Sequence, residues 1–448
     1  MRLTILGGGG FRVPLVHRAL LADEGPGRVT DLVLHDLDAG RLRTIGRVLE
    51  DATRTHGGAG PRVHLETDLE TALAGADFVF SAIRVGGLAG RVCDERSALD
   101  LGVLGQETTG AGGVCYGLRT VPVAMQIAET VRRVAPEAYV INFTNPAGMV
   151  TEAMSRILGD RVVGICDSPV GMFKRVARAL GVSPDEAVFD YAGLNHLGWL
   201  RRVTVAGEDL LPGLLADPAA LLRTEEGRLF GPDWLATLGA VPNEYLWYWY
   251  YRSDAVAAEQ AAGHTRGELL LEQQQEFWAE GPGAPGEAFA GWEQARLQRE
   301  ATYMAESREA TGAGEREQED LDGGGYDRVA LQLMRAIARD EATTLILNVP
   351  NRGTIAGLDT DAVVEVPCSV DAQGWRPHAV DPLDPHAFGL VSTMKAVERT
   401  TVQAALSGSY ATATKALALH PLVGSVTVAR GILDSQLTAL PELRSVLR

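Results

Sequence analysis

Short apolar runs of β type alternate along the chain with longer stretches whose apolar residues recur at helical spacing. Arg2 to Leu6 runs into Gly7-Gly8-Gly9-Gly10-Phe11-Arg12, and Val13 to Leu21 then has the period of a helix. Further strands are predicted over Asp31-Leu32-Val33-Leu34-His35-Asp36, Asp77 to Ile83, Ala138 to Phe143 and Val162 to Ile165. An apolar helix from Pro122 to Val134 provides the crossover that parallel neighbours need. Gly102 to Gly113 holds five glycines around a polar core and reads as a loop. Buried strands joined by helices predict an open parallel sheet, with ligands at the carboxyl ends of its strands.

The second half is more mixed. Asp185 to Thr204 carries strand signals, Leu269 to Ala279 reads as a helix, and Gly281 to Glu287 is a Gly/Pro break. Thr302 to Asp322 is charged and poor in apolar spacing, which predicts a solvated helix or a loop without chemistry. Tyr326 to Asp340 has a helical period, Thr343 to Val349 a strand pattern, and Ala362 to Pro367 fits an antiparallel partner for it. From Phe388 the chain is rich in Ala and Leu and helical, with a break at Pro421 and Gly424.

Composition narrows the class. The 448 residues, 46% hydrophobic and 22% charged, are those of a soluble globular protein with a large core. A net charge of −17 argues against nucleic acid and anionic membrane as partners, so an anionic substrate needs a local basic site. Cys93, Cys115, Cys166 and Cys368 show no close pairing, which fits a reducing cytoplasm. No apolar run is long enough to span a bilayer, and Met1 to Gly10 lacks the pattern of a signal peptide.

Two places carry candidate chemistry. A strand, a glycine turn and a helix N-terminus form an anion site for a pyrophosphate, with Gly7 and Gly9 giving the turn and close approach; Arg12 stands where a third glycine is usual. Asp36 ends the next strand where adenosine ribose hydroxyls would lie, and its carboxylate favours NAD over the 2′-phosphorylated form; a plain strand-end or helix-capping aspartate is the alternative. The other place is Val162-Val163-Gly164-Ile165-Cys166-Asp167 with Leu194-Asn195-His196. Cys166 and His196 are metal-ligand types that leave positions open for water or substrate oxygens, against the alternative of a buried thiol and a core histidine.

The pieces Ile83-Arg84-Val85-Gly86-Gly87, Gly105-Gln106-Glu107-Thr108-Thr109-Gly110, Asn142-Phe143-Thr144-Asn145-Pro146, Gly164-Ile165-Cys166-Asp167, Leu194-Asn195-His196 and the tyrosine-rich segment at Tyr245 occur in this order. In that order the sequence resembles glycoside hydrolase family 4, the NAD- and manganese-dependent glycosidases. The resemblance implies an α/β fold, a Rossmann-type dinucleotide-binding domain over 1–166 fused to a lactate/malate dehydrogenase-like α/β substrate and metal domain over 167–448. It implies NAD at Gly7, Gly9, Gly10, Phe11, Arg12, Asp36 and Arg84, and Mn²⁺ on Cys166 and His196. Arg91, Glu107, Asn145, Asn195 and Arg266 are implied to hold substrate, Tyr245 to be the catalytic base, and Asp167 to serve as general acid. The implied reaction is hydrolysis through oxidation at sugar C3, C1–C2 elimination, water addition and return of the hydride. The expected substrate is a 6-phospho-β-glucoside, with a 6-phospho-α-glucoside or an unphosphorylated glycoside as alternatives, and the expected assembly a homodimer or homotetramer. A malate-type NAD-dependent dehydrogenase and a non-catalytic NAD-binding regulator are the rivals outside this activity. Gly10 and Val13 depart from the serine and threonine usual in the family's turn.

Overall fold

The computed structural model describes residues 1–281, 286–316 and 325–447. One mixed sheet organises it. The strands are β1 (Arg2–Leu6), β2 (Asp31–His35), β3 (Arg62–Glu66), β4 (Phe78–Ser81), β5 (Tyr139–Asn142), β6 (Val162–Gly164), β7 (Val188–Leu194), β8 (Leu197–Val205), β9 (Glu208–Asp209), β10 (Val241–Pro242), β11 (Thr343–Pro350), β12 (Val363–Asp371) and β13 (Gly374–Pro377). The first six lie parallel in the order β3-β2-β1-β4-β5-β6, that of a doubly wound dinucleotide fold. Beyond β6 the sheet continues antiparallel through β11, β12, β7, β8 and β10.

The pattern explains most of this. The central strands are apolar throughout because helices cover both faces, and Leu3, Ile5, Val79, Val140 and Val163 are fully or almost fully buried. β3 breaks the rule: Arg62, His64 and Glu66 alternate along an edge strand, so no apolar run announces it. β11 and β12 pair as expected, with Leu347 opposite Val366. Helices Arg266–Glu280, Tyr326–Arg339, Pro385–Ser407, Tyr410–Leu419 and Val426–Ala439 fall where periodicity places them.

Three readings are corrected. The crossover helix begins at Ala111 and not at Pro122, which sits inside it. Gly112 and Gly113 are helical because the 105–110 turn folds back onto them; a Cβ on Gly113 would lie 2.3 Å from the Thr108 carbonyl oxygen. Gly86 is followed by helix Gly87–Leu99, on which Asp94 makes a fully buried pair with Arg119 at 2.7 Å. Thr302 to Asp322, expected to be free of chemistry, places Tyr303 on the cleft wall, while residues 317–322 lie outside the described residues, as do 282–285 of the Gly/Pro break. Among the described residues no helix is long and apolar enough to cross a membrane.

Candidate active site

A cleft of about 870 Å³ opens along the carboxyl ends of the parallel strands, from Asp36 at one end to Tyr245 and Arg266 at the other. Gly7, Gly10, Phe11 and Arg12 form its nucleotide-side floor. Gly7 has φ +81°, and a Cβ there would lie 2.5 Å from the Ala82 carbonyl oxygen, so β1 and β4 meet only because the side chain is absent. The Gly10 amide donates to the Gly7 carbonyl at 2.8 Å, and a Cβ on Gly10 would stand 2.8 Å from the same oxygen. The turn is thus tighter than one built for serine. Helix Val13–Leu21 begins without a side-chain cap; the Val13 and Leu15 amides donate to the Gly10 and Arg12 carbonyls, each at 3.1 Å, and Pro14 has no amide hydrogen. Asp36 accepts from the Gly9 and Asp38 amides, each at 3.1 Å, while Asp38 is the residue that caps helix Ala39–Thr55. The helix-cap reading of Asp36 is therefore excluded.

Farther along, Glu107 bridges Arg84 at 2.6 Å and Arg91 at 2.8 Å, and Arg91 also holds Glu95 at 2.7 Å. Burial works to raise the Glu107 carboxyl, but Arg84 and Arg91 outweigh it and hold the carboxyl at about 2. Asn145 lines the same cleft.

Cys166 follows the end of β6. His196 sits with Asn195 in the two-residue turn joining β7 to β8, at φ 61°, a conformation that few side chains adopt outside such hairpins. These two segments bring Cys166 Sγ to 3.4 Å from His196 Nε2, with both residues buried. Burial lowers the imidazole to about 4, against a smaller upward pull from Glu107, so it is neutral at pH 7. Burial, and then Glu365 and Asp167, push the Cys166 thiol well up. Among the described residues no group of three or more His, Cys, Asp and Glu side chains could enclose a metal ion. A neutral imidazole and a thiol that ionises only against a cation make a two-donor site with open positions, which fits a divalent ion exposed to substrate.

The Tyr245 ring stacks on the His196 ring at 3.8 Å and 11°, and its hydroxyl accepts a hydrogen bond from Tyr303 at 3.0 Å. Burial, with Glu244 next, raises the Tyr245 phenol above its ordinary value in the absence of a cation. Trp247 in the same aromatic run is packed in the core. Asp167 lines the cleft, half-buried beside Cys166. Arg266 donates to Thr302 Oγ1 at 2.7 Å and to the Arg299 carbonyl at 2.8 Å. Asn195 is not on the main cleft: its Nδ2 donates to Glu365 Oε1 at 3.1 Å, behind His196.

Sequence reasoning passed over Tyr303, Arg299, Glu244 and Glu365. Glu365 is buried on β12 and accepts from Asn195, Asn348 and Tyr191. None of these four belongs to a local motif. Only the two carboxylates standing inside apolar strand and aromatic runs, Glu365 and Glu244, gave a signal that could have been followed.

The chain matches the model of the family 4 glycosyl hydrolases over residues 2–182 and that of the family's C-terminal domain over residues 191–423. It is 33% identical to the Probable 6-phospho-beta-glucosidase of Bacillus subtilis, over 98% of this chain and 96% of the relative. It is 30% identical to the 6-phospho-alpha-glucosidase of Leptotrichia buccalis, over 100% and 99%. The 6-phospho-beta glucosidase of Thermotoga maritima, solved with manganese, NAD⁺ and glucose-6-phosphate, superposes with a TM-score of 0.82 at 26% identity over 100% of both chains. Malate dehydrogenase from Plasmodium falciparum reaches a TM-score of 0.50 at 13% identity over 91% of this chain and 99% of its own, a likeness of fold alone, as expected for the dehydrogenase-like architecture. With both family models matched in order along almost its whole length, the chain belongs to family 4 of the glycosyl hydrolases and is a glycoside hydrolase.

Proposed function

We propose that this enzyme hydrolyses 6-phosphoglucosides, using NAD and Mn²⁺, with the β anomer as its substrate. The observation that carries the reading is the meeting of Cys166, His196 and Tyr245 in the same cleft as the glycine turn and Asp36. With it goes a division into residues 1–166 for the dinucleotide and 167–448 for most of the substrate and metal side, the first part lending Cys166 to the metal and Arg91, Glu107 and Asn145 to the substrate. When bound, NAD supplies reversible oxidation at sugar C3 and Mn²⁺ supplies Lewis-acid polarisation of the neighbouring oxygens. As the phenolate that a bound cation would favour, Tyr245 Oη would take the C2 proton, with Tyr303 donating to the same oxygen and the His196 ring stacked on its ring. Asn145, which lines the same cleft, is a candidate to orient sugar hydroxyls.

The 6-phosphate is supported by crowded cations. Burial and the neighbouring Arg91 lower Arg266 to about 10, and burial and Arg12 lower Arg299 to about 9. Both side chains line the cleft, and an anion placed between them would relieve the repulsion. The identity to the Bacillus subtilis relative supports the β anomer. A second reading rests on Asp167. The C2 hydrogen of glucose is axial, so an axial α leaving group departs from the face opposite the base, where a separate acid is required. A carboxylate beside Cys166 is a candidate for that acid.

The test is hydrolysis of the p-nitrophenyl 6-phospho-β- and 6-phospho-α-glucosides and of the unphosphorylated β-glucoside, with NAD or Mn²⁺ omitted in turn and NADH followed alongside nitrophenolate. Release of nitrophenolate from the phosphorylated β-glucoside that needs both cofactors and accumulates no NADH is the expected result; release from the α anomer alone transfers the reading to Asp167. Tyr245→Phe should lower kcat by about 10²–10⁴-fold with NAD affinity unchanged.

A further inference from the structure

The segment 106–109 packs against His196: Glu107 from it joins the ionic wall, while Gln106 and Thr108 form a chain of hydrogen bonds that ends on the imidazole. Gln106 Oε1 accepts from the Thr108 amide at 2.8 Å and the Thr109 amide at 2.5 Å. Two backbone donors require that the atom facing them be oxygen, so the orientation of this side-chain amide is settled by its surroundings. Thr108 Oγ1 lies 3.1 Å from the same Oε1 and 2.9 Å from His196 Nδ1. A hydroxyl has one proton. Spent on Nδ1, it would leave the two oxygens of Thr108 and Gln106 facing each other with lone pairs alone. Spent on Gln106 Oε1, it leaves Thr108 Oγ1 to accept from Nδ1–H, and every contact is satisfied.

We propose that Thr108, anchored by Gln106, is a positioning residue that locks His196 in the tautomer with Nδ1 protonated and the Nε2 lone pair turned toward Cys166 Sγ. The chain of bonds then reads Nδ1–H to Thr108 Oγ1 and Thr108 O–H to Gln106 Oε1. At the other end the Cys166 thiol can donate to Nε2 across 3.4 Å, marking the point that a cation would occupy between the two. His196 is in a hairpin turn at φ 61°, where the backbone by itself does not choose between ring nitrogens. The hydroxyl from a separate loop makes that choice and raises the basicity of Nε2, as partners of metal-binding histidines do.

This inference rests on the reading that Cys166 and His196 hold the divalent ion, and the test separates the two. Full-length enzyme stripped with a chelator is titrated with Mn²⁺ by calorimetry, and NAD affinity is measured on each variant as a check of the fold. Thr108→Val, of equal shape but without the hydroxyl, should weaken Mn²⁺ binding by about 10–100-fold, and Thr108→Ser should restore it. The ¹⁵N shifts of labelled histidine, with His196 assigned from its loss in His196→Gln, should show protonated Nδ1 and bare Nε2 in the parent protein. Thr108→Val with unchanged Mn²⁺ affinity, or a parent His196 protonated at Nε2, overturns the role given to Thr108, and the second readout stands even if the valine variant does not fold. Parental Mn²⁺ affinity in His196→Ala overturns the metal-site reading itself.

Discussion

One part-buried and one fully buried carboxylate approach the Cys166–His196 pair from different walls, and they are shifted in opposite directions. Glu107, on the wall built by the 84–107 segment, lies between the guanidinium groups of Arg84 and Arg91 and is held at about 2. Glu365, on the floor built by β7, β11 and β12, is raised to about 7 by burial; Asn195, Asn348 and Tyr191 donate to it without offsetting the desolvation. Three neutral donors do less for a buried charge than two cations. The site thus pairs an ionic wall of fixed charge on the cleft with a buried acid close to neutrality behind the His196 turn.

The largest effect that would sharpen this contrast is expected at the ionic wall. Glu107→Gln leaves part-buried Arg84 without its carboxylate and Arg91 with Glu95 alone, and should cost about 1.5–3 kcal/mol in urea unfolding at pH 7. Glu365→Gln keeps an acceptor for the two asparagines, and the Tyr191 hydroxyl can turn to accept from the new amide, so about 1 kcal/mol or less is expected. Equal losses in the two variants would break the comparison. A smaller effect should appear in the pH dependence of Tm. Glu365 titrates in the folded protein above the roughly 4.3 of an unfolded glutamate, so its contribution is whole below about pH 4 and is lost as pH rises through about 7. Glu107 is depressed, so its contribution is whole above about pH 4.3 and is lost as pH falls toward about 2. Glu365→Gln should therefore flatten the decline between about pH 4.3 and 7 and leave the acid limb alone, and Glu107→Gln should do the reverse.

Legibility followed how local each feature is. Gly7, Gly10 and Asp36 could be read because a strand, a tight turn and the end of the next strand are backbone features written within 36 positions. Cys166 and His196 were suspected from residue type, but their 3.4 Å approach depends on a β6 end and a β7–β8 turn separated by the intervening β11 and β12, which come from almost two hundred residues later. Asn195 shows the same limit: type and position pointed to the substrate, while the amide turns to Glu365 behind the site. Arg299, on helix Ala288–Ala301, and Tyr303, in the turn that follows it, were passed over because a charged stretch without apolar spacing gives no sign of which side chains a distant cleft will recruit.

By itself the sequence determined the doubly wound half, the nucleotide turn and the residue types of the chemistry, since apolar period and glycine placement act over one or two elements. The tertiary structure decided which carboxylates meet cations, which ring nitrogen of His196 is free and which tyrosine lies over it. Those outcomes depend on side chains hundreds of positions apart sharing one desolvated space, where the energy of each group is set by its neighbours and not by its place in the chain.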